Sequence, residues 1–166
     1  MGDRVAAIAP KVSVLEAEEQ VFVQKMKSIF NLSETEANVA SMTLLYDTVV
    51  SDQNLGRKIP EKYTEKDDKE LNYIQSYLFV LLYAEHPARV FATPFVKAML
   101  NNLEKVIEGK TGNLKMTVIS GHDANVAPVL TFLNLTSAEC VQKKFKNQTV
   151  TGNCAEPVPF ASSIQL

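Results

Sequence analysis

Apolar residues recur at intervals of three and four along much of the first two thirds of the chain, which is the spacing of one helix face. The recurrence predicts four helices, over Val12–Phe30, from Ser33 through Val49, over Leu71–Tyr83 and over Thr93–Glu108. The third is apolar nearly all round, so we expect it to be buried. Ser33 is a typical helix-starting residue, and Gly109 is a typical residue just beyond a helix end.

The pattern changes after residue 112. Lys115 to Ser120 alternates and is rich in β-branched residues, which predicts a strand, whereas Asp123 to Leu133 returns to the helical period. Phe160 to Leu166 predicts a second strand. Two strands form a marginal sheet alone, so we expect an α/β protein whose sheet partners lie outside this polypeptide. The alternative is a small α+β domain that covers its own edges.

The junction between the first strand and the following helix reads Gly121-His122-Asp123. Ligands of open α/β sheets bind beyond the carboxyl ends of the strands, and a helix N-terminus favours an anion. An imidazole and a carboxylate at such a turn suit phosphoryl binding and proton transfer. The structural alternative is that Asp123 is only an N-cap and His122 only a partly buried ring.

Composition narrows the classes of function. The chain has 166 residues and a formal net charge of −2, with a pI near 5.7, which predicts one domain, or one and a fraction, without an electrostatic footprint for nucleic acid. No apolar run reaches the length of a membrane span, and the first residues lack the core of a signal peptide. The two histidines, His86 and His122, are too few for a metal-dependent His-Asp phosphohydrolase.

Cysteine and sequon usage favours an oxidising compartment. Cys140 and Cys154 flank a segment read as a polar loop, Val141 to Asn153, and a disulfide is favoured over two free thiols. Three N-x-S/T sequons mark candidate glycosylation sites at Asn31, Asn134 and Asn147. Together they favour a secreted or lysosome-like lumenal protein. No signal peptide precedes them, so we expect the natural start to lie upstream.

The order of these elements carries a family resemblance. Ile119-Ser-Gly-His-Asp-Ala-Asn-Val126, the helices before it, and the Cys140 to Cys154 loop and Phe160 strand after it resemble the C-terminal half of a histidine acid phosphatase. The resemblance implies a three-layer α/β/α core, here incomplete. Residues 1–111 would form the helical cap and core helices, and residues 112–166 the C-terminal core segment with the His-Asp motif.

The resemblance also implies roles for two residues. His122 would bind the phosphoryl group, and Asp123 would protonate the leaving alcohol, with activity at acidic pH. The family's nucleophile is a histidine in an Arg-His-Gly-x-Arg-x-Pro motif, and no Arg-His-Gly occurs here. His86 lies in Glu-His-Pro and is read as a helix-terminal or surface residue. The phosphate-clamping arginines have no match either, because Arg4, Arg57 and Arg89 stand in other contexts.

Two functional hypotheses follow. The first is a phosphomonoesterase that acts on phosphate monoesters and needs no cofactor, to which this chain contributes Asp123 and His122 while the nucleophile lies in a missing N-terminal segment. The second is a truncated, non-catalytic relative that binds inorganic phosphate or a protein partner. The first predicts that the isolated chain is inactive. The substrate stays open, and so does assembly into a homo-oligomer.

Overall fold

The computed structural model describes residues 2–83, 92–113, 116–119 and 121–155, with side chains from residue 7 onward. Regular secondary structure in these ranges consists of helices. They are α1 (Gly2–Phe30), α2 (Val39–Asn54), α3 (Glu65–Tyr83), α4 (Ala92–Ile107), α5 (Asp123–Phe132) and α6 (Ala138–Phe145). The predicted helices over Val12–Phe30, Leu71–Tyr83 and Asp123–Leu133 are confirmed within one residue at their C-terminal ends.

The expected α/β fold class is wrong for the part of the chain that the structure describes. Residues 116–119 of the predicted strand form no strand, and Met116 and Val118 are 72% and 71% exposed. An alternating segment becomes a strand only when a neighbour satisfies its backbone hydrogen bonds, and no strand occurs among the described residues. The second predicted strand, Phe160 to Leu166, lies outside the described residues.

The start of α2 differs from the prediction. Instead of beginning a helix at Ser33, the chain makes a turn in which the Glu36 carboxylate accepts hydrogen bonds from the Ser33 amide at 2.8 Å and the Ser33 hydroxyl at 2.6 Å. The helix begins after Asn38, whose Oδ1 accepts the amide of Ser41 at 2.9 Å. Ser33 therefore acts as a turn residue, and Asn38 is the N-cap.

A buried charge fixes the N-terminus of α3. The Asp67 carboxylate accepts hydrogen bonds from the amide of Thr64 at 2.9 Å and from its hydroxyl at 2.7 Å. Lys25 of α1 also donates to Asp67, which is 1% exposed. The hydrogen bonds and the ion pair hold the pKa of Asp67 below its usual range against the opposing effect of burial. One side chain thus caps α3 and ties it to α1.

Helix α3 lies at the centre of the core, in contact with α1, α2, α5 and α6. Its expected burial is confirmed, because apolar residues on several sides of the helix are inaccessible. The buried α3 residues of the core cluster are Leu71, Tyr73, Ile74, Tyr77, Val80 and Leu81. The ring of Tyr73 stacks on Phe145 of α6 with centroids 4.0 Å apart. Packing against α3 therefore positions α5 and α6, the last two helices of the described chain.

The segment between the cysteines is partly helical, so its reading as a polar loop is wrong over its first residues. The Ser137 hydroxyl caps α6 by accepting the Cys140 amide at 3.1 Å. Val141 is buried in the core, and Phe145 packs against the core. Because one face of this segment is apolar and buried, a lysine-rich stretch forms a helix. Cys140 and Cys154 form a disulfide with a Cα–Cα distance of 5.7 Å. That predicted bond is present.

Candidate functional site

The His-Asp motif lies at the N-terminus of α5. His122 is the N-cap, with an extended backbone at φ −97° and ψ 171°, and Asp123 is the first helical residue. The motif therefore occupies a helix start, as the sequence predicted, but the capping position belongs to His122 and not to Asp123. Both side chains are exposed. They stand at the N-terminal end of the helix, where the helix dipole favours an anion.

Asn125 organises this turn and was missed by the sequence reasoning. Its Oδ1 accepts the amide of His122 at 2.9 Å, which is the reaching-back half of a capping box. A Cβ atom on Gly121 would meet that same Oδ1 at 2.9 Å and the Asn125 Cβ at 3.1 Å. Glycine leaves room here for the close approach of Asn125. The spacing between His122 and Asn125 was a signal in the sequence, because the third residue of a helix carries the side chain that completes a capping box.

The Asp123 carboxylate lies against the backbone of its own helix. Its Oδ1 accepts the amide of Ala124 at 2.7 Å. The amides of Asn125 and Val126 both donate to the His122 carbonyl, at 2.9 and 3.2 Å. An incoming phosphoryl group would compete with Asp123 for the Ala124 amide, so binding would free the carboxyl group from the helix end.

A second carboxyl group lies within electrostatic reach of the motif. Burial raises the pKa of Asp47 on α2, and the negative charge of Asp123 adds to the rise, while a hydrogen bond from Gln75 opposes it. That bond runs from Nε2 of Gln75 on α3 to Oδ1 of Asp47 at 2.6 Å. Helices α2 and α3 thus bring a linked acid and amide towards the N-terminus of α5. No local sequence signal could have joined residues so far apart.

The motif stands on an open surface. Two clefts in the described chain, of about 410 and 350 Å³, are lined by residues of other regions, the first between Gln53 and Asp68 and the second along α1 and the start of α2. Among the described residues, no three His, Cys, Asp or Glu side chains are grouped closely enough to hold a metal ion. The structure therefore shows two exposed side chains, His122 and Asp123, at a helix terminus.

The remaining chemistry-bearing residues from the sequence lie elsewhere. Arg57 donates to Asp52 at 3.0 Å near the end of α2, which occupies it in a surface ion pair. His86 and Arg89 lie outside the described residues, as does the side chain of Arg4. The structure thus keeps His122 and Asp123 together at the start of α5, with Asp47 within electrostatic reach of Asp123, and places Arg57 with a different partner.

The three candidate glycosylation residues share one conformation. Asn31, Asn134 and Asn147 are exposed and adopt left-handed φ values of 52°, 56° and 52°. Each follows a helix end, and the amide of the next residue bonds back to a carbonyl in the last turn, as in Gln148 to Lys143 at 2.8 Å. This is the Schellman cap, in which asparagine is the usual substitute for glycine. Helix termination therefore accounts for all three asparagines without a glycan.

Comparison with known proteins identifies the family. The family model of the histidine phosphatase superfamily (branch 2) matches residues 9–166, nearly the whole chain. The chain therefore belongs to branch 2 of the histidine phosphatase superfamily, as its resemblance to histidine acid phosphatases implied. No curated protein and no solved structure matched it. In the part of the chain that the structure describes, no helix combines the length and hydropathy needed to cross a membrane.

Proposed function

We propose that these residues serve the hydrolysis of phosphate monoesters at acidic pH, with His122 as a ligand of the phosphoryl group and Asp123 as the proton donor to the leaving alcohol. The observation that carries the proposal is the exposed His122-Asp123 pair at the start of α5 in a chain of this superfamily. A protonated imidazole donates to a phosphoryl oxygen, and a carboxyl group beside a phosphate dianion is favoured in its neutral, acidic form. The protonated imidazole and the neutral carboxyl group are both more populated at acidic pH.

The nucleophile is the part of the reaction that these residues do not provide. The 166 residues contain no Arg-His-Gly, the motif that carries the phosphorylated histidine in histidine acid phosphatases. We infer that the chain by itself cannot form a phosphohistidine, whatever the state of Asp123. The purified chain should therefore release negligible product from p-nitrophenyl phosphate at any pH. Turnover at an enzyme-like rate that survives His86→Ala would contradict this inference.

The role of Asp123 is tested in a polypeptide that contains both these residues and an Arg-His-Gly-x-Arg-x-Pro histidine. Two substrates are compared, p-nitrophenyl phosphate with a good leaving group and glycerol phosphate with a poor one. Only the poor leaving group needs a proton as its bond to phosphorus breaks. Asp123→Asn should lower kcat for glycerol phosphate by about 10²- to 10⁴-fold, and lower kcat for p-nitrophenyl phosphate much less.

The matched control for that experiment is Asp52→Asn. This change removes the same charge at a carboxylate that accepts its hydrogen bond from Arg57. It should leave both rates close to those of the unchanged protein. An equal and small effect of Asp123→Asn on the two substrates would mean that the carboxylate only satisfies the Ala124 amide, and the proposed acid role would be abandoned.

A non-catalytic, phosphate-binding role is the second candidate. The exposure of both motif side chains favours it, and neither of the two clefts described above is lined by His122 or Asp123. The two candidates differ in what the isolated chain does with inorganic phosphate. A purely binding protein should retain phosphate with an affinity that His122→Ala abolishes, whereas half of a catalytic site should bind it weakly.

We also propose that the chain matures in an oxidising lumen, as a secreted or lysosome-like protein. The Cys140–Cys154 disulfide supports this, since such bonds persist in oxidising compartments. The sequons add less support than they did from sequence, because helix capping explains their asparagines. Mass spectrometry of peptides from protein made in a eukaryotic host should show Cys140 linked to Cys154. Two alkylatable thiols in secreted material would contradict the assignment.

A further inference from the structure

Helix α4 has more apolar surface than the rest of the bundle covers. It packs against α5, with Ala92 buried and Met99 half-buried. On the same helix the side chains of Leu100, Leu103 and Ile107 stay open to solvent, with exposed fractions of 53%, 46% and 85%. Their spacing of three and four residues aligns them along one side of the helix. We call these three residues the α4 stripe.

Exposed apolar residues are concentrated in this part of the chain. Of the fourteen large hydrophobic residues that are exposed among the described residues, seven lie between positions 100 and 119. Single exposed leucines are ordinary on a protein surface, whereas a cluster of exposed apolar side chains marks an interaction site. The α4 stripe is therefore a candidate docking surface, and the charges beside it indicate what it binds.

Two opposite charges border the stripe on one edge. Lys97 and Glu104 are exposed and lie seven residues apart, which is close to two helical turns, so both stand on the same side of α4. Within the described part of the chain, neither side chain forms an ion pair. An edge with a positive charge at one end and a negative charge at the other is complemented by a copy of itself that runs in the opposite direction.

An antiparallel second copy of α4 matches the apolar residues as well as the charges. With a two-fold axis between positions 101 and 102, Leu100 lies opposite Leu103 of the second copy, and the symmetry repeats this contact. Ile107 lies opposite Val96, which is half-buried in the single chain. Lys97 and Glu104 of the second copy are then offset by two residues, about 3 Å along the helix axis. Both side chains are long enough to span that offset.

We propose that the α4 stripe is a homodimer interface in which two copies of α4 pack antiparallel, with two Lys97–Glu104 ion pairs on its edge. A parallel arrangement would place each of these charges beside its own kind, which destabilises a helix pair. A lipid surface would select a polar face rich in basic residues, and α4 has two lysines beside one glutamate. The proposal is independent of the phosphatase proposal, because it uses neither His122 nor Asp123.

Sedimentation equilibrium of the 166-residue chain, with its disulfide intact, tests the interface. A contact of this size lies at the small end of the range for protein interfaces, so we expect a dissociation constant of about 1–100 μM. The average mass should therefore rise from 18.4 kDa towards twice that value between about 5 and 500 μM. Ile107→Ala should raise the dissociation constant by about 10- to 100-fold. The matched control, Leu44→Ala on α2, changes a leucine that is 69% exposed elsewhere and should leave the constant unchanged.

Charge exchange tests the antiparallel arrangement. Lys97→Glu and Glu104→Lys each create like-charge pairs across the interface, so each should raise the dissociation constant by about 10- to 100-fold. The double variant Lys97→Glu/Glu104→Lys re-forms both ion pairs with their signs exchanged. Its dissociation constant should return to within about threefold of that of the unchanged chain. Lys105→Glu, on the far side of α4 from the stripe, is the matched control and should have little effect.

A mass that stays at 18.4 kDa up to about 500 μM would overturn the proposal. Association that Ile107→Ala leaves unchanged would also overturn it, since the stripe would then not be the interface. A double variant that associates as weakly as the single charge variants would refute the antiparallel pairing. Because the changed side chains are exposed in the single chain, the far-UV circular dichroism of every variant should match that of the unchanged chain. That match separates lost association from lost folding.

Discussion

Replacing Gly121 by alanine tests how the turn that carries His122 and Asp123 is built. The backbone of Gly121 does not lie in the left-handed region, so alanine can adopt it, and the obstacle is space. The new methyl group would approach Asn125 Oδ1 to 2.9 Å and Asn125 Cβ to 3.1 Å. The side-chain amide of Asn125 must rotate away, and the hydrogen bond that it accepts from the His122 amide is then broken.

The expected magnitude follows from two opposing contributions. Loss of a capping hydrogen bond costs about 0.5–2 kcal/mol. Alanine restricts the unfolded chain more than glycine does, which offsets about 0.4–1 kcal/mol of that loss. Gly121→Ala should therefore lower the free energy of unfolding by about 0.5–1 kcal/mol. In an Asn125→Ala background the hydrogen bond is already absent and only the 3.1 Å contact with the Cβ atom of residue 125 remains, so the same change should be close to neutral.

The assay is a double-mutant cycle by urea unfolding with far-UV circular dichroism, since the chain has no tryptophan. A coupling energy of about 1 kcal/mol is expected between positions 121 and 125. Amide exchange at His122 should accelerate in Gly121→Ala and in Asn125→Ala alike. If Gly121→Ala costs the same in both backgrounds, within about 0.3 kcal/mol, Asn125 is not what excludes the methyl group and the reasoning is refuted.

Two further predictions concern helix ends. Asp67→Ala should lower the free energy of unfolding by about 2–3 kcal/mol, because it removes the α3 cap and leaves Lys25 without its buried partner. The control, Glu65→Ala at an exposed position, should lower the free energy of unfolding by no more than about 0.5 kcal/mol, measured by urea unfolding. Asn147→Gly should leave the thermal midpoint almost unchanged, whereas Asn147→Ala should cost about 1 kcal/mol at its left-handed φ; equal midpoints for the two variants would argue against the capping role.

Local patterns were sufficient for most helices. A helix satisfies its backbone hydrogen bonds within one segment, so the apolar periods of α1, α3 and α5 could be read directly from sequence. The start of α2 was misplaced because Ser33 and Glu36 carry a typical helix-start spacing and use it for an isolated turn. Helix α6 was missed because its lysines were read as loop residues, although Ser137 and Glu139 offered a start signal.

Contacts between segments that are distant in the chain were predicted wrongly from the sequence or were not predicted at all. The alternation from Lys115 to Ser120 predicts a strand, but a strand exists only with a neighbour, and the described residues contain none. His122 and Asp123 are adjacent in the chain, so their position at a helix start was predictable. The hydrogen bonds of Gln75 with Asp47 and of Lys25 with Asp67 were not. These contacts join different helices, and only the packing of α1 and α2 against α3 determines them, because a side chain's distant neighbours depend on how whole helices fit together.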